Sequence, residues 1–268
     1  MIFSDEYNLR FGGIARLYGT KELAKLASAH VLVVGLGGVG SWVVEALTRS
    51  GIGQLTIVDL DDVCITNTNR QLCATVETIG HSKALTLKKR AQSINPEIKI
   101  NCIEEFFSEK TFENIISTSY DFVVDCIDSL DSKCLLVSEC HKRNIPIITI
   151  GGAAGKIDPT QIKIDDLAFS VNDSLLQRLR KKLRRDYGFK KTPGKSLKSR
   201  KKMGIFCLYS PEPQRYPNAN GEVCNTPDPE TNLKLDCQTG MGSSLMVTGT
   251  FAFMAASIVV KEITQSSR

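Results

Sequence analysis

A glycine-rich turn between an apolar run and a helical stretch constrains the fold of this chain most. The apolar run is HVLVVG (30–35), and the turn that follows holds Gly35, Gly37 and Gly40 in a Gly-x-Gly-x-x-Gly pattern, with Gly38 inside it. Glycine permits a tight turn, and the amides that open the next helix can then face a phosphate. The pattern predicts a nucleotide site, but it does not distinguish NAD from ATP.

The first 150 residues repeat the order strand, turn, helix. Apolar runs rich in Val and Ile alternate with helical stretches, which is typical of a mostly parallel sheet with helices on both faces. We therefore predict a Rossmann-like α/β fold whose ligands bind beyond the carboxyl ends of the strands. The further predicted strands are 54–59, 98–103, 121–126 and 145–150, and the predicted helices are Ser41–Ser50, Ser82–Ile94, Thr111–Ser117 and Ser132–Asn144.

The pattern changes after Ile150, where a glycine-rich loop precedes one more possible strand, IKIDDL. We predict an adenylating-type nucleotide domain at 1–170, and at 171–268 a basic segment, a proline-rich loop and an apolar helix packed on the same domain. The uncharged run Cys237–Val260 has two interpretations, a helix buried in the core or a dimer, or a membrane span or anchor. Its glycines and Ser/Thr residues favour burial.

Positive charge is concentrated in one part of the chain. Residues Arg178 to Lys202 hold 13 Lys or Arg and one acid, while the whole chain carries a net charge of only +5. The body is therefore mildly acidic, and any contact with a polyanion is expected at this segment. Solvation alone is the alternative explanation.

Polar residues beyond the second strand favour ATP over NAD. Asp59 follows that strand, where a carboxylate can hold ribose hydroxyls. Asn67, Arg70 and Lys83 add an amide and two cations, which can neutralise the charge that develops on an α-phosphate and a departing pyrophosphate. Taken singly, Arg70 is explained by a surface ion pair and Lys83 by a solvated helix face; taken together, they favour ATP chemistry.

A second group of acids follows the fourth predicted strand in DFVVDCIDS. Asp125 ends the strand, and Asp128 lies just beyond it at the same edge of the sheet. A carboxylate here can hold Mg²⁺ on a triphosphate. Asp131 is predicted to cap the next helix.

Four separated motifs, GLGGVG, DLDDVCITNTNRQ, Lys83 and DCIDS, resemble the adenylating domain of the ubiquitin-activating superfamily. The resemblance implies ATP as the cofactor, Mg²⁺ held through Asp128, room for a monovalent cation, and a homodimer. It implies that Arg70, Lys83 and Asp128 are catalytic. The implied nucleotide contacts are Gly35, Gly37, Gly38, Gly40, Asp59, Asp61, Asn67, Arg70, Lys83, Asp128 and Ser129.

Three flanking stretches, at 10–19, 151–162 and 235–244, resemble the family of tRNA threonylcarbamoyladenosine dehydratases. This resemblance implies ATP-dependent cyclisation of threonylcarbamoyladenosine next to the anticodon of tRNA. It implies a link to sulfur transfer through a cysteine desulfurase or sulfur acceptor, and it makes Cys237 a candidate catalytic thiol. The expected tRNA contacts in the basic segment are Lys181, Lys182, Arg184 and Arg185.

Two departures separate the chain from the sulfur-carrier activators of the same superfamily. Those enzymes carry Cys-x-x-Cys zinc ligands, whereas no two of the nine cysteines here have that spacing, so we expect no zinc. They also supply an arginine to the partner's site, where this chain has Gly13, with Arg16 as the substitute. The activator of a ubiquitin-like or sulfur-carrier protein and a nucleotide-binding scaffold without adenylation remain as alternatives.

The cysteine pattern and the first residues indicate a cytoplasmic protein. An odd number of cysteines, several of them in predicted strands or helices, is typical of thiols in a reducing compartment. The opening MIFSDEYNLRFGG carries acids and lacks the pattern of a secretory signal. A membrane association through the terminal apolar run is the remaining possibility.

Overall fold

The computed structural model describes residues 4–116, 119–190, 200–218, 220–227 and 241–266. The main strands are β1 (His30–Val34), β2 (Gln54–Val58), β3 (Lys99–Ile103), β4 (Phe122–Asp125), β5 (Ile147–Ile150), β6 (Lys163–Asp166) and β7 (Phe206–Tyr209). They form one sheet in the order β3-β2-β1-β4-β5-β7-β6, in which only β6 runs antiparallel to its neighbour. The Rossmann-like α/β fold expected from the sequence is confirmed.

Helices cover both faces of this sheet. They are α1 (Asp5–Tyr18), α2 (Thr20–Ser28), α3 (Gly40–Arg49), α4 (Lys83–Ile94), α5 (Phe112–Ile116), α6 (Leu130–Lys142), α7 (Ser174–Asp186) and α8 (Leu245–Gln265). Alternate residues of β1 point into two separate cores, one shared with α3, α4 and α8 and the other with α5, α6 and α7. Because both faces are covered, β1 is buried throughout.

Residues that follow α7 in the sequence complete the edge of the sheet beyond β5. β7 lies between β5 and β6, so the chain returns to the sheet after residue 200. The sequence prediction missed this strand, because its apolar run, IFCLY, is short and adjoins a strongly basic stretch. The short strands β8 (Tyr216–Pro217) and β9 (Val223–Cys224) form a separate hairpin. The division of the chain at residue 170 stays a prediction.

Two helices before the first strand were also missed. Tyr7 and Phe11 of α1 pack with Leu23 of α2 in a small cluster of their own. The Tyr7 hydroxyl donates a hydrogen bond to the carbonyl of Gly51 at 2.5 Å, which ties α1 to the turn before β2. Tyr7, Phe11 and Ile14 recur at helical spacing, so α1 was predictable from the sequence and the strand–helix alternation drew attention only to the residues after it.

The part of the terminal apolar run from Leu245 onward lies in the long helix α8. Its length and its apolar composition would be sufficient to cross a membrane. The buried core helix of a soluble protein can have the same length and composition. The buried side of α8 includes Phe251, Ala255 and Val259, which belong to the core beside α3. Met246 and Phe253 are exposed on the other side. In the most apolar 18-residue stretch of α8, 56% of the helix is buried inside the protein.

Candidate active site

The glycine turn after β1 closes against the end of β4. Gly35 has a φ of +88°, and its amide donates to the carbonyl of Val58 at 2.9 Å. A Cβ atom on Gly35 would lie 2.9 Å from the carbonyl oxygen of Cys126, and one on Gly40 would lie 1.8 Å from the carbonyl oxygen of Gly35. Only glycine fits such approaches, so the sequence at these positions fixes the turn at the point where the strand order reverses.

A carboxylate and a lysine meet at the end of β2. Asp59 accepts hydrogen bonds from the amides of Leu36 and Asp61, at 2.6 and 2.9 Å. The Nζ atom of Lys83, the first residue of α4, lies 2.8 Å from Oδ2 of Asp61 and 4.0 Å from Oδ1 of Asp59. Burial raises the pKa of Asp59, whereas Lys83 and the two amide donors lower it.

Lys83 is therefore not on a solvated face of its helix. Only 5% of the residue is exposed, although it opens α4. The isolated β-bridge between Asp62 and Ser82 and the bond from the Lys83 amide to the carbonyl of Asp61 hold this helix start beside the end of β2. The loop between β2 and α4 thus brings Asp61 and Lys83 together, although they are 22 positions apart in the sequence.

Arg70 lies directly over the glycine turn. A Cβ atom on Gly38 would lie 3.2 Å from Cγ of Arg70 and 3.3 Å from Cγ2 of Thr248 in α8. The Arg70 guanidinium donates to the carbonyl of Thr66 at 2.9 Å and to Oδ1 of Asn69 at 3.0 Å. Among the described residues no carboxylate lies within ion-pair distance of it. The cation is held beside the turn and not in a surface ion pair.

Asn67 organises the loop that carries Arg70. It is buried, and its Oδ1 atom accepts the amide of Cys64 at 3.1 Å. Its carbonyl accepts the amides of Arg70 and Gln71 at 3.0 and 2.9 Å. Gln71, which the sequence analysis did not single out, is buried, and its amide nitrogen lies 4.0 Å from the Cβ position of Gly37. Nothing in its sequence context distinguished it from a surface residue.

The two acids at the end of β4 have different surroundings. Asp125 is fully buried and paired with Lys133, whereas Asp128, three residues on, is exposed. Asp128 makes no ion pair within the part of the chain that the structure describes. Ser129 is the N-cap residue of α6, so the prediction that Asp131 caps this helix is wrong. Asp131 lies in the first turn and accepts a hydrogen bond from Lys182.

The basic segment begins at the same edge of the sheet. Asp173 caps α7 by accepting the amide of Leu176 at 2.8 Å, and its other oxygen accepts the amide of Gly152, just beyond β5, also at 2.8 Å. Farther along α7, Lys182 pairs with Asp131. Asp173 thus contacts a residue that follows β5, and Lys182 contacts a residue that follows β4. These two contacts fix α7 next to the edge of the sheet where the parallel strands end.

The cations of α7 do not all face solvent. Arg180 is buried and donates to the carbonyl of Leu167 at 3.2 Å. Arg184 is half-buried against Met203, and Arg185 pairs with Asp186. Arg178 and Lys181 are exposed. Of the four predicted tRNA contacts, Lys181 and Arg185 are therefore the ones that lie on the exposed side of the helix.

Some predicted residues lie elsewhere. Gly13 and Arg16 lie on α1, where both are exposed. Cys237 falls outside the described residues. Across the described ranges, no three His, Cys, Asp or Glu side chains cluster closely enough to hold a metal ion by themselves.

The profile of the ThiF family matches residues 12–267 of this sequence. The chain belongs to the ThiF family. It is 43% identical over 264 residues to the tRNA threonylcarbamoyladenosine dehydratase of Escherichia coli, which covers 98% of this chain and 96% of that enzyme. The enzyme of that name from Haemophilus influenzae is 44% identical over 259 residues, covering 97% and 95%.

A solved structure matches this ThiF-family chain over nearly its whole length. The crystal structure of the E. coli tRNA N6-threonylcarbamoyladenosine dehydratase in complex with ATP has a TM-score of 0.85 and 41% identity, and the match covers 98% of this chain and 97% of that one. The adenylating superfamily expected from four short motifs is confirmed, and so is the resemblance to the dehydratases that three flanking stretches indicated. Because it covers 98% of this chain, the match extends well beyond the nucleotide-binding strands.

Proposed function

We propose that this chain catalyses the ATP-dependent dehydration of threonylcarbamoyladenosine in tRNA, through adenylation of the threonyl carboxylate. A carboxylate oxygen forms a bond to the α-phosphorus of ATP, and the bond to the β-phosphate breaks to release pyrophosphate. The urea group of the same nucleoside then attacks the activated carbonyl and displaces AMP, which carries away the oxygen that a dehydration must remove. The observation that carries this proposal is the full-length match to dehydratases of that name, one of them solved with ATP.

The site residues divide between binding and charge stabilisation. The glycine turn, with Gly38 at its centre, and the half-buried Asp59 would contact the nucleoside and the first phosphate. Arg70 and Lys83 are cations beside the turn, fixed by hydrogen bonds before any substrate binds. Such fixed donors stabilise developing charge strongly, because they need little reorganisation in the transition state.

Asp128 fits a role in holding Mg²⁺ on the triphosphate. Its carboxylate is exposed at the edge of the sheet, and hard oxygen donors of this kind are the ligands that Mg²⁺ prefers. Mg²⁺ binds through one or two carboxylates together with the phosphates of its substrate, so a single exposed acid is sufficient. When bound, the ion neutralises charge on the phosphates and the leaving group.

The tRNA contact is proposed along the exposed side of α7. Arg178, Lys181 and Arg185 are spaced by three and four residues, so they share one face of the helix. The cap at Asp173 and the pair between Lys182 and Asp131 hold this face beside the strand ends. Phosphate contacts here would position the anticodon arm, while the modified base is read in the ATP cleft.

The remaining expectations follow from the family. We propose a homodimer in the cytoplasm, and a sulfur-transfer partner as the system that cooperates with the enzyme. Cys237 is the proposed thiol for any covalent step, although direct attack by the urea group does not require one. An activator of a sulfur-carrier protein would share the first half-reaction but would not require α7.

Pyrophosphate exchange into ATP tests the proposal and separates these functions. With tRNA that carries threonylcarbamoyladenosine, exchange should be strong, and with a sulfur-carrier protein it should stay at background. The same tRNA lacking the threonylcarbamoyl group is the control. Exchange that depends on a carrier protein and not on modified tRNA would contradict the proposed substrate.

A further inference from the structure

Lys133 in α6 is a fully buried lysine that the proposed chemistry does not use. Its Nζ atom lies 2.7 Å from Oδ2 of Asp125 and 3.2 Å from Oγ1 of Thr149. Both side chains of the ion pair have 0% exposure. A pair of this kind seldom stabilises a fold by itself, since the cost of removing two charges from water offsets most of their attraction.

The Asp125 carboxylate joins three elements at the end of β4. Its Oδ2 atom accepts from Lys133 in α6 and, at 2.6 Å, from the hydroxyl of Thr149 in β5. Its Oδ1 atom accepts the amide of Ile127 at 3.1 Å and so shapes the turn that leaves the strand. These three hydrogen bonds hold the carboxylate in one orientation, and within the described part of the chain Lys133 is the one cation at ion-pair distance from it.

The turn shaped in this way carries two parts of the candidate active site. The carbonyl of Cys126 lies against Gly35 of the phosphate turn, and Asp128 follows Ile127 directly. Asp128 makes no ion pair of its own within the described ranges, so its position depends on the backbone that precedes it. In that backbone the Cys126 amide donates to the carbonyl of Val34 at 2.9 Å, and the Ile127 amide, next to Asp128, is held by Asp125.

We propose that Lys133 is a positioning residue, which holds the turn at 126–129 through Asp125 and thereby places Asp128 toward the Mg²⁺-bound triphosphate. The inference rests on the proposed function of Asp128. Without Lys133, the buried carboxylate would have to take up a proton or rotate toward water, and either change weakens its bond to the Ile127 amide. Asp128 would then be displaced, although nothing in direct contact with the nucleotide has changed.

The test uses Lys133→Met, which keeps most of the side-chain volume and removes the charge. A displacement of about 1 Å at a reacting group costs on the order of 100-fold in turnover, so pyrophosphate exchange should fall by about that factor. Calorimetry should show that ATP binding has lost most of its dependence on Mg²⁺. AMP affinity should stay close to that of the wild type, because AMP lacks the phosphates that Mg²⁺ bridges. Amide hydrogen exchange should become faster across residues 126–129.

Two further variants keep the test decisive. Ser138→Ala removes another buried polar atom from α6, one with no hydrogen-bond partner among the described residues, and should change none of these readouts. In Asp125→Asn combined with Lys133→Met, the new amide can accept from Ile127 and donate to Thr149 without a buried charge. This double variant should regain much of the exchange activity, and it remains measurable if Lys133→Met alone fails to fold.

The outcomes separate the inference from the proposed function. If Lys133→Met lowers thermal stability but leaves Mg²⁺ dependence and the protection of residues 126–129 unchanged, the pair is purely structural and the inference is wrong. A double variant no better than the single one would also contradict it. Asp128→Ala is measured alongside: near-normal exchange there contradicts the proposed role of Asp128, whereas loss there with normal Lys133→Met contradicts only the role of Lys133.

Discussion

The Nζ atom of Lys83 lies 2.8 Å from a carboxylate oxygen of Asp61. Lys83 is almost fully buried, whereas the Asp61 side chain is 54% exposed. The lysine is thus held at the edge of the nucleotide site by a partner that water can solvate. A triphosphate can therefore compete for the lysine without leaving Asp61 as a buried, unpaired charge.

Lys83→Met should lower pyrophosphate exchange by about 10²–10³, which is the usual loss for one preorganised donor. The fold should persist, because the methionine keeps the buried stem and the freed Asp61 stays solvated. Lys89→Met is the matched control, since Lys89 lies on the same helix and is exposed. Equal exchange rates in the two variants would rule out a role for Lys83 in charge stabilisation.

Gly40→Ala should destabilise the protein, because the new methyl group would lie 1.8 Å from the backbone oxygen of Gly35. An extra methyl group in a well-packed core costs about 1–3 kcal/mol of stability. A backbone oxygen at the end of a strand can move less than a side chain, so we expect a loss of about 3 kcal/mol or more. Gly242→Ala is the control, since no atom of the described residues lies within 4 Å of its Cβ position. Thermal unfolding measures both, and similar melting temperatures would show that the turn is not packed as described.

Arg178→Ala combined with Lys181→Ala should weaken tRNA binding and flatten its dependence on salt. Each lost phosphate contact reduces the slope of log affinity against log salt by roughly 0.7–0.9, so two contacts account for roughly 1.4–1.8. The control replaces two exposed lysines outside the basic segment, Lys21 and Lys89, by alanine. If both double variants show the same slope as the wild type, α7 is not the tRNA contact.

The stability of the protein at low pH should depend on Glu45 in α3. Burial opposes ionisation of this carboxyl, but hydrogen bonds from Arg90 and Arg49 outweigh burial and lower its pKa from the ordinary value of 4.5. A carboxyl with a lowered pKa contributes stability above its unfolded pKa, and the contribution is lost as the pH falls through the folded value. Glu45→Gln should therefore be less stable than the wild type at neutral pH, and the difference should shrink below about pH 4.5. Urea unfolding across this range would refute the assignment if the difference stayed constant.

The sequence predicted the parallel sheet well because four of its strands, β1, β2, β4 and β5, are buried on both faces. Such strands appear as continuous runs rich in Val and Ile, whereas the edge strand β3 alternates apolar and polar residues; each of the five was placed within two residues of its observed bounds. β7 was missed because its run is short and stands outside the alternation of strands and helices. The buried state of Lys83 was hidden too, since a lysine at a helix start looks solvated until the loop before it is folded.

The site was predictable where it follows strand ends and not where it depends on tertiary packing. Asp59 and Asp128 could be placed because parallel strands end at one edge. Thr248, which packs on Gly38 from the last helix, and Lys133, which pairs with Asp125, carry no local pattern that indicates their contacts. The four cations expected at the tRNA contact looked equivalent in the sequence, but the packing of α7 leaves only some of them exposed.

The most direct test of the central claim is nucleoside analysis of modified tRNA after incubation with the purified protein, ATP and Mg²⁺. The proposed chemistry predicts that threonylcarbamoyladenosine is converted to a product lighter by one water, with one AMP and one pyrophosphate formed for each nucleoside converted. Conversion should stop when ATP is replaced by an analogue that cannot be cleaved between its α- and β-phosphates. An unchanged nucleoside in the presence of ATP, with the protein folded and ATP bound, would contradict the proposed function.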